Sequence, residues 1–380
     1  MIYFDNNATT RTAPEAAEAM APYLTSAYGN PSSAHAAGRG AKEAIATARE
    51  HVAELLGAVS PGEITFTSGG TESDNWAILG ALRTAAERQH IVTTRVEHEA
   101  VRKLAEMLEL QGYSVTWVDV DDEGRLDVDA FTSALRPETA VVSVMLANNE
   151  TGMLFPVDRL AEIVKERSNA LFHVDGVNAT GKVATDLKNT AIDLFSISAH
   201  KFHGPKGIGA LYVRSGINIP SMLIGGGQEN ARRAGTEAVH QIVGMGAAAQ
   251  IVSDLSEMRR VAELRDRLEF GILDRIPNSR LNGTTDTERR LPNTSNITFE
   301  NTNGEMILAA LDDIEVCVST GSACNSEHHS PSPVLQAMNV PYSWAMGSIR
   351  FSLGRYNTAE EVDLVLDKLP AIVKRLRGSA

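Results

Sequence analysis

Cysteine is scarce in this sequence, in which only Cys317 and Cys324 occur among 380 residues. A disulfide framework is therefore excluded, and such a low count is typical of a reducing compartment. The sequence also lacks any run of about 18 apolar residues, so it predicts no membrane span. Its first residues contain Asp5 and no basic segment that leads into an apolar one, so we expect no secretory signal. These absences together predict a cytoplasmic protein that does not bind a membrane.

Basic residues are outnumbered by acidic ones: Lys and Arg total 35, Asp and Glu total 48, and the formal net charge is −13. Affinity for nucleic acid comes from clustered Lys and Arg, so this balance argues against direct nucleic-acid binding. Small molecules or basic protein surfaces are the expected partners. With 43% hydrophobic and 22% charged residues, the chain has the composition of a globular protein, and its length predicts two domains or one large two-layered unit.

Helical patterns alternate with short apolar runs between about residues 40 and 250. One helical pattern places Ala41, Ile45 and Val52 on one face and ends at Gly57. The apolar runs are rich in β-branched and aromatic residues and mostly lack polar alternation: EITFT, HIVTT, SVTWVDV, AVVSVML, ALFHVD, DLFSIS and GALYV. Such runs predict buried parallel strands joined by helices. The predicted fold class is α/β, with a mostly parallel central sheet flanked by helices.

The pattern of charged and apolar residues changes near residue 255, which predicts a second, smaller domain. A long charged helical stretch begins there, SEMRRVAELRDRLEFGILDRI, and a polar loop and a shorter set of strands and helices follow it. A mixture of this kind is typical of an α+β arrangement.

Polar residues follow five of the predicted strands, at the edge where open parallel sheets bind ligands. These strand ends carry a glycine-rich turn and four side chains: SGGTESDN at 68–75, His98, Asn149, Asp175 and Lys201. Each has an ordinary structural explanation, such as a helix cap for the turn, a structural histidine, a turn-capping aspartate or a solvent-exposed lysine. The combination, however, supplies what one cofactor requires.

Pyridoxal phosphate needs an amine to bind its aldehyde, an acid to keep its pyridine nitrogen protonated, a ring to stack on its face and an anion site. Lys201 supplies the amine, Asp175 the acid and His98 the ring. Backbone N–H groups at a predicted helix N-terminus and donors beside the lysine suit the phosphate: Gly69, Gly70, Thr71, Ser198 and His200. Lys206 is the competing amine, but its glycine and proline neighbours predict an exposed turn.

Motifs along nearly the whole chain resemble those of cysteine desulfurases, which are fold-type I pyridoxal-phosphate enzymes of the class V aminotransferase group. The motifs occur in the family's order: DNNATT at 5–10, GNPSSAH at 29–35, TSGGTESDN at 67–75, NNETG at 148–152, HVD at 173–175, SAHKFHGPKGIGALYVR at 198–214, RRAGTE at 232–237, STGSAC at 319–324 and IRFSLGRYNT at 349–358. The resemblance implies a fold-type I transferase with pyridoxal 5'-phosphate as its cofactor.

The resemblance also implies a homodimer with a large cofactor domain, residues 12–255. The small domain would consist of residues 1–11 and 256–380 and carry a loop with the catalytic cysteine at about 319–333. Thr236 would reach the phosphate of the partner subunit's cofactor.

Substrate binding is implied for two residues. Arg350 would bind the substrate carboxylate, a task for which the forked guanidinium is suited. Asn149 would lie near a cofactor oxygen and the same carboxylate. Asn178 would contact the cofactor's phenolic oxygen, although the family usually has Gln there and Asn is one methylene shorter.

Cys324 lies between a strand-like run and a helix-like one, in a stretch rich in Ser, Gly, Asn and Pro that predicts a loop. The resemblance implies that Lys201 moves the Cα proton of L-cysteine and that the Cys324 thiolate takes the sulfur as a persulfide, with release of L-alanine. His98 would shuttle the thiol proton. Cys317, by contrast, alternates with two valines and is expected to be structural. Two histidines follow Cys324, but no fixed fourth ligand is visible, and we expect no metal site.

Two alternative functions and the identity of the sulfur acceptor stay open at this point. Selenocysteine lyase or another class V pyridoxal-phosphate activity is the nearest enzymatic one, although Cys324 argues against an aminotransferase. A catalytically silent sulfur-carrier subunit is the non-enzymatic one, which the intact set of Lys201, Asp175, His98 and Cys324 disfavours. The sulfur acceptor is also open, because iron–sulfur cluster scaffolds, tRNA thiolation proteins and nitrogenase assembly all draw on this chemistry.

Overall fold

The computed structural model describes residues 1–320 and 330–378. Its strands are β1 (Ile2–Tyr3), β2 (Ile64–Thr67), β3 (His90–Thr94), β4 (Ser114–Val118), β5 (Thr139–Met145), β6 (Leu171–Asp175), β7 (Leu194–Ser198), β8 (Gly209–Val213), β9 (Ser279–Leu281), β10 (Thr294–Phe299), β11 (Val316–Cys317) and β12 (Ser348–Ser352).

The α-helices of the described residues are α1 (Pro14–Thr25), α2 (Ala36–Leu56), α3 (Gly70–Thr84), α4 (Glu99–Leu110), α5 (Val128–Ala134), α6 (Val157–Arg167), α7 (Val239–Ser253), α8 (Ser256–Arg275), α9 (Gly304–Asp312), α10 (Pro333–Ala337), α11 (Tyr342–Ala345) and α12 (Ala359–Arg377). The predicted helix that ends at Gly57 is α2, and Gly57 follows it in the left-handed conformation that favours glycine, with φ 60°. In the described part of the chain, no helix combines the length and apolarity that crossing a membrane requires.

Strands β2 to β8 form one seven-stranded sheet in the order β2-β8-β7-β6-β5-β3-β4. Neighbouring strands from β4 through β3, β5 and β6 to β7 all pair in parallel. Side chains of α2, α6 and α7 pack in the largest apolar cluster against this sheet, and α3 and α4 pack in a separate cluster with other residues of it. Helices cover both faces, so a strand such as β5 is buried along its whole length. The predicted α/β class with a mostly parallel sheet is confirmed.

Strand β8, with sequence GALYV, runs antiparallel to both of its neighbours, β7 and β2. The prediction that this run forms a parallel strand was therefore wrong in orientation. Only residues 199–208 connect β7 to β8, and they contain a single short 3-10 helix, Ala199–Lys201. A parallel neighbour needs a crossover of a dozen or more residues, usually with an α-helix, so this short connection turns the chain back on itself.

The C-terminal part contains a three-stranded antiparallel sheet in the order β12-β10-β9, and β1 pairs in parallel with β11. A second apolar cluster joins Phe4 to side chains of α8, α9, β10, β12 and α12. The N-terminal segment therefore packs with the last third of the chain. The domain boundaries at residues 12 and 256 stay a prediction.

Candidate active site

A cavity of about 240 Å³ lies beyond the carboxyl ends of β5, β6 and β7, beside the start of α3. Parallel strands end at the same edge of a sheet, so segments that are distant in sequence converge there. The cavity is lined by nine of the eleven residues that the sequence predicted for the cofactor: Gly70, Thr71, His98, Asn149, Asp175, Asn178, Ser198, His200 and Lys201. Their convergence is a finding, whereas their individual roles stay predictions.

Lys201 is the last residue of the 3-10 helix that follows β7. Its Nζ donates to the backbone carbonyl oxygens of Asn7 and Ala8, the second at 3.1 Å. Both carbonyls belong to the N-terminal segment, so the first ten residues build one wall of the site. Lys206, the competing lysine, is exposed in the turn before β8, as the sequence predicted.

Asp175 is the last residue of β6 and is buried, with 5% of its surface exposed. The N–H of Val177 donates to Asp175 Oδ1 at 2.9 Å. Burial raises the pKa of Asp175, while His98, the Val177 N–H and Lys201 favour its charged form. A cation bound beside Asp175 would further favour the charged form of this carboxylate, because an opposite charge favours ionisation.

Two further buried carboxyl groups lie near Asp175 and were missed by the sequence reasoning. Burial raises the pKa of Glu97 to about 8 and that of Asp74 well above its usual range, with Asp175 adding to both effects. Asp74 lines the cavity, and its Oδ1 lies 3.5 Å from Nε2 of His173. Burial lowers the pKa of His173 to about 3, so the ring is neutral near pH 7 and this contact is not an ion pair. Asp74 stands in the stretch SGGTESDN and Glu97 directly precedes His98, so both follow predicted strands, which was the available signal.

His98 caps the N-terminus of α4: its Nδ1 accepts a hydrogen bond from the N–H of Ala100 at 3.1 Å. An accepting Nδ1 places the proton of the neutral ring on Nε2. Desolvation lowers the pKa of His98, which favours this neutral form; Asp175 opposes the shift and Lys201 adds to it. The ring therefore has a defined orientation at the edge of the cavity.

The N-terminus of α3 faces the same cavity. Its N-cap residue is Gly69, and no side chain within the described part of the chain caps the helix. A Cβ on Gly70 would lie 2.7 Å from Val177 Cγ2, so the backbone here approaches its neighbour closely. His200 Nδ1 lies 3.2 Å from Thr9 Oγ1, which orients the second histidine. Uncapped N–H groups at a helix start favour an anion such as a phosphate.

Arg350 lies on β12, next to the cavity but outside its lining. Its Nη2 donates to Asp5 Oδ1 at 2.7 Å, and its Nη1 donates to the carbonyl oxygen of Asn149 at 3.1 Å. Its Nε is buried and has no hydrogen-bond partner among the described residues. The Arg350 guanidinium is thus fixed beside Asn149, which lines the cavity. Its Nε–H is still available to donate a hydrogen bond.

Two predicted cofactor residues do not line this cavity: Gly69, which is the N-cap residue of α3, and Thr236. Thr236 lines a separate cavity of about 70 Å³ with Arg233 and Glu237. Arg233 is paired with Glu72 of α3 through two hydrogen bonds of 2.9 and 3.1 Å, so this second cavity adjoins the same helix.

Cys324, the predicted nucleophile, lies outside the described residues. The residues on either side of 321–329 pack in different apolar clusters: Val318 lies in the second cluster, whereas Val334 lies in the first. Cys317 lies in β11, as the sequence predicted, and burial raises the pKa of its thiol. A raised thiol pKa disfavours the reactive thiolate.

Lys182 and Asn7 are also part of the site and were not predicted. Lys182 Nζ donates to Asn178 Oδ1 at 3.0 Å and to Asn7 Oδ1 at 3.2 Å, and it is buried. Asn7 Nδ2 donates to the carbonyl oxygen of Asn149 at 3.1 Å. No local pattern could indicate these contacts, because they depend on where the N-terminal segment docks.

The chemistry of these groups fits pyridoxal phosphate. Asn178 is 5% exposed, and its Nδ2 has no partner within the described residues, so a hydrogen-bond acceptor is missing there. Asp175 provides a carboxylate, the start of α3 provides N–H groups, and Lys201 provides an amine. Each of these matches one requirement of the cofactor.

Comparisons with known proteins agree with this arrangement. The model of the family Aminotransferase class-V matches residues 2–365. A cysteine desulfurase from Trichormus azollae is 51% identical over 380 residues, which is 100% of this chain and 94% of the relative. The cysteine desulfurase NifS from Azotobacter vinelandii is 48% identical over 379 residues, with 99% of this chain and 94% of that protein covered.

A solved structure described as a NifS-like protein has the same architecture. The two chains superpose with a TM-score of 0.92 at 39% identity, and the match covers 99% of this chain and 100% of the other. The likeness therefore includes both the central sheet and the C-terminal elements.

Proposed function

The chain belongs to the class V aminotransferase family and to the cysteine desulfurases within it, and from this premise we propose how its residues carry the reaction. It is a pyridoxal-phosphate-dependent enzyme that converts L-cysteine to L-alanine. The sulfur passes to the thiol of Cys324: L-cysteine and the enzyme thiol yield L-alanine and an enzyme persulfide, so atoms and electrons balance without an added oxidant or reductant.

Lys201 holds the cofactor through its amine, and Asp175 pairs with the pyridine nitrogen. The bound cofactor acts as an electron sink, which makes the Cα proton of L-cysteine removable and weakens its Cβ–Sγ bond. His98 would stack on the cofactor ring, and the start of α3 would hold its phosphate. Gly70 and Thr71 supply backbone donors there, with Ser198 and His200 beside them.

Arg350 binds the substrate carboxylate, and Asn149 helps to orient it. Support for this proposal comes from the guanidinium, which is anchored by Asp5 and by the Asn149 carbonyl while its buried Nε keeps a donor without a partner in the described part of the chain. A guanidinium donor left in this way suits a carboxylate oxygen.

Two side chains, Lys201 and His98, transfer protons in this proposal. Lys201 takes the Cα proton, for which an amine beside the reacting carbon is suited. His98 shuttles the thiol proton of L-cysteine: because Nδ1 accepts from the Ala100 N–H, the neutral ring carries its proton on Nε2, which it gives up to the forming alanine and regains from the thiol. The Cys324 thiolate attacks the substrate sulfur, because the thiolate and not the thiol is the nucleophile.

The protein acts as a cytoplasmic homodimer in this proposal. Thr236 reaches the phosphate of the partner subunit's cofactor, which agrees with its position in a second cavity beside α3. The sulfur acceptor is another protein, such as a scaffold for iron–sulfur cluster assembly or a tRNA thiolation protein. The net charge of −13 favours acceptors with a basic surface.

The observation that carries the proposal is the convergence of Lys201, Asp175, His98 and the start of α3 in one cavity, with Arg350 fixed beside it. The test is mass spectrometry after brief exposure to L-cysteine without reductant, with alanine assayed in parallel. We expect a mass increase of one sulfur atom on the peptide that contains Cys324, together with released alanine.

Two controls complete this experiment. Cys324→Ala should form no adduct, and because this variant keeps Cys317, the result would also show that Cys317 does not take the sulfur. If the cofactor is bound but neither adduct nor alanine appears, the desulfurase proposal is wrong, and selenocysteine and other amino acids become the substrates to assay.

A further inference from the structure

Lys182 is a buried lysine outside the lining of the active-site cavity, with 8% of its surface exposed. Its Nζ meets three oxygens: the Asn178 carbonyl at 2.8 Å, Asn178 Oδ1 at 3.0 Å and Asn7 Oδ1 at 3.2 Å. Burying an ammonium group is unfavourable unless its donors are satisfied, and three acceptors match its three N–H groups. The chain therefore keeps this lysine in a site built around it.

The contact with Lys182 determines how the Asn178 amide is oriented. The oxygen and nitrogen of an amide are hard to tell apart by shape, so the orientation must follow from its partners. A lysine ammonium only donates, which requires Oδ1 to face Lys182 and Nδ2 to face away. Asn178 lines the cavity, and its buried Nδ2 has no partner among the described residues.

We propose that Lys182 is a positioning residue, which holds Asn178 Oδ1 so that Nδ2 donates to the phenolic oxygen of the cofactor. The inference rests on the proposed function, because it needs pyridoxal phosphate in this cavity. In pyridoxal phosphate the phenolic oxygen and the aldehyde, to which the Lys201 amine would bind, are substituents of adjacent ring carbons. Lys182 is linked to the Lys201 amine through Asn7, whose side-chain oxygen accepts from Lys182 and whose carbonyl accepts from Lys201.

Other charged groups surround Lys182 and bear on the test. Burial lowers the pKa of Lys182, and Lys201 and Arg350 add to this effect. A small cavity of about 30 Å³ behind it is lined by further titratable groups: His203, Asp254, Glu257 and Arg355. The three oxygens around Nζ nevertheless favour the charged form of Lys182, which can only donate and therefore requires the Asn178 amide to present Oδ1.

The test is a pH titration of the cofactor's visible absorption band in the holoenzyme. A donor to the phenolic oxygen stabilises its anionic form, and without that donor the oxygen holds the proton it shares with the Lys201 nitrogen more tightly. The absorption band reports the pKa of this shared proton. Lys182→Met and Asn178→Leu should therefore each raise that pKa by about one unit. Lys206→Met removes an exposed lysine from the neighbouring turn and should leave the titration unchanged.

The double variant separates positioning from a direct effect of charge. If Lys182 acts through Asn178, then Lys182→Met combined with Asn178→Leu should titrate like Asn178→Leu alone. Additive shifts, or a wild-type titration of Lys182→Met, would overturn the inference. Should Lys182→Met fail to fold, Asn178→Asp provides a second variant that keeps the Lys182 contact but lacks the donor, and a wild-type titration of it would equally overturn the inference.

Failure of the proposed function has a different signature. A wild-type protein that shows no visible band with pyridoxal phosphate, or a Lys201→Ala variant that keeps the band, would contradict the cofactor assignment itself. A normal band that Lys201→Ala abolishes and Lys182→Met leaves unshifted would contradict only the role of Lys182.

Discussion

The Arg350 guanidinium is paired with the Asp5 carboxylate, Nη2 to Oδ1, at 2.7 Å. The two side chains are largely buried and come from opposite ends of the chain, one from β12 and the other from the N-terminal segment. Asp5 thus orients the residue that we assign to the substrate carboxylate. It also neutralises part of the positive charge that this carboxylate would meet.

Asp5→Asn keeps an oxygen that accepts from Arg350 but removes the negative charge. We expect the KM for L-cysteine to fall by about threefold with little change in kcat, because charges a few ångströms apart interact strongly in a partly buried site. The melting temperature should fall as well, since Arg350 loses its counter-charge. Steady-state assays and thermal unfolding measure the two effects.

Two further variants serve as comparisons for this prediction: one changes Arg350, and the other changes an exposed ion pair. Arg350→Lys loses the forked geometry and should raise the KM by about tenfold or more. Asp119→Asn removes a charge from an exposed ion pair with Arg95 and should change neither parameter. An increased KM in Asp5→Asn would contradict the charge argument.

Asp175→Asn should weaken cofactor binding and reduce activity by about a hundredfold or more, because a neutral amide no longer holds the proton on the pyridine nitrogen. Asp74→Asn is the matched control in the same cavity. Burial raises the pKa of Asp74 well above its usual range, so its charged form is already disfavoured and the amide should change little. Equilibrium dialysis of the cofactor and the alanine assay compare the two, and equal losses would contradict the assignment.

Glu97→Gln should stabilise the protein at alkaline pH. Glu97 Oε1 accepts from Thr94 Oγ1 at 2.7 Å and from the Met145 N–H at 3.1 Å, which a glutamine oxygen can retain, and Oε2 has no partner in the described part of the chain. Burial raises the pKa of Glu97 from 4.5 to about 8.

The sign of the effect follows from this pKa shift. Between pH 4.5 and about 8 the native state keeps a proton that the unfolded chain has released, so the contribution of Glu97 to stability falls as pH rises through that window. Glutamine carries no such proton. Thermal unfolding of the cofactor-free protein should show a gain of a few degrees at about pH 8.5 and almost none at about pH 5.

Glu18→Gln is the control for this measurement, because Glu18 is exposed on α1 and carries the same charge without burial. It should change the melting temperature little at either pH. An equal gain for Glu97→Gln at both pH values would show that packing, and not ionisation, is responsible.

Gly70→Ala should destabilise the protein by about 1 kcal/mol or more, because the new Cβ would lie 2.7 Å from Val177 Cγ2 and force the branched side chain to move. Val177→Ala removes the obstructing methyl group. In the double variant the loss should therefore be smaller than the sum of the two single losses. Denaturant unfolding of all four proteins gives the coupling energy, and strict additivity would contradict the proposed contact.

Much of the site could be predicted from local sequence because strand ends are local features. Lys201, Asp175 and His98 each follow an apolar run, and the carboxyl ends of parallel strands meet at one edge. Gly70 was identified in the same way, from a glycine-rich turn before a helix. The orientation of GALYV was not predicted correctly, because its composition does not reveal which strands become its neighbours.

The positions of Asp5, Asn7 and Lys182 at the site could not be predicted from the residues next to them in the sequence. The sequence assigned them no role, and only the docking of the N-terminal segment against β12 and the turn after β6 brings them to the site. Glu97 shows the same limit in another way, since its raised pKa depends on burial and on Asp175 across the sheet.

The sequence by itself determined the fold class, the family and the set of residues at the strand ends, because side-chain periodicity and short motifs act over a few residues. The tertiary structure alone decided which of these groups are paired, oriented or left without a partner. Hydrogen bonds such as Lys182 to Asn178, and ion pairs such as Arg350 to Asp5, join segments whose distance depends on how the whole chain packs. Electrostatics then follows from burial, which no local sequence pattern specifies.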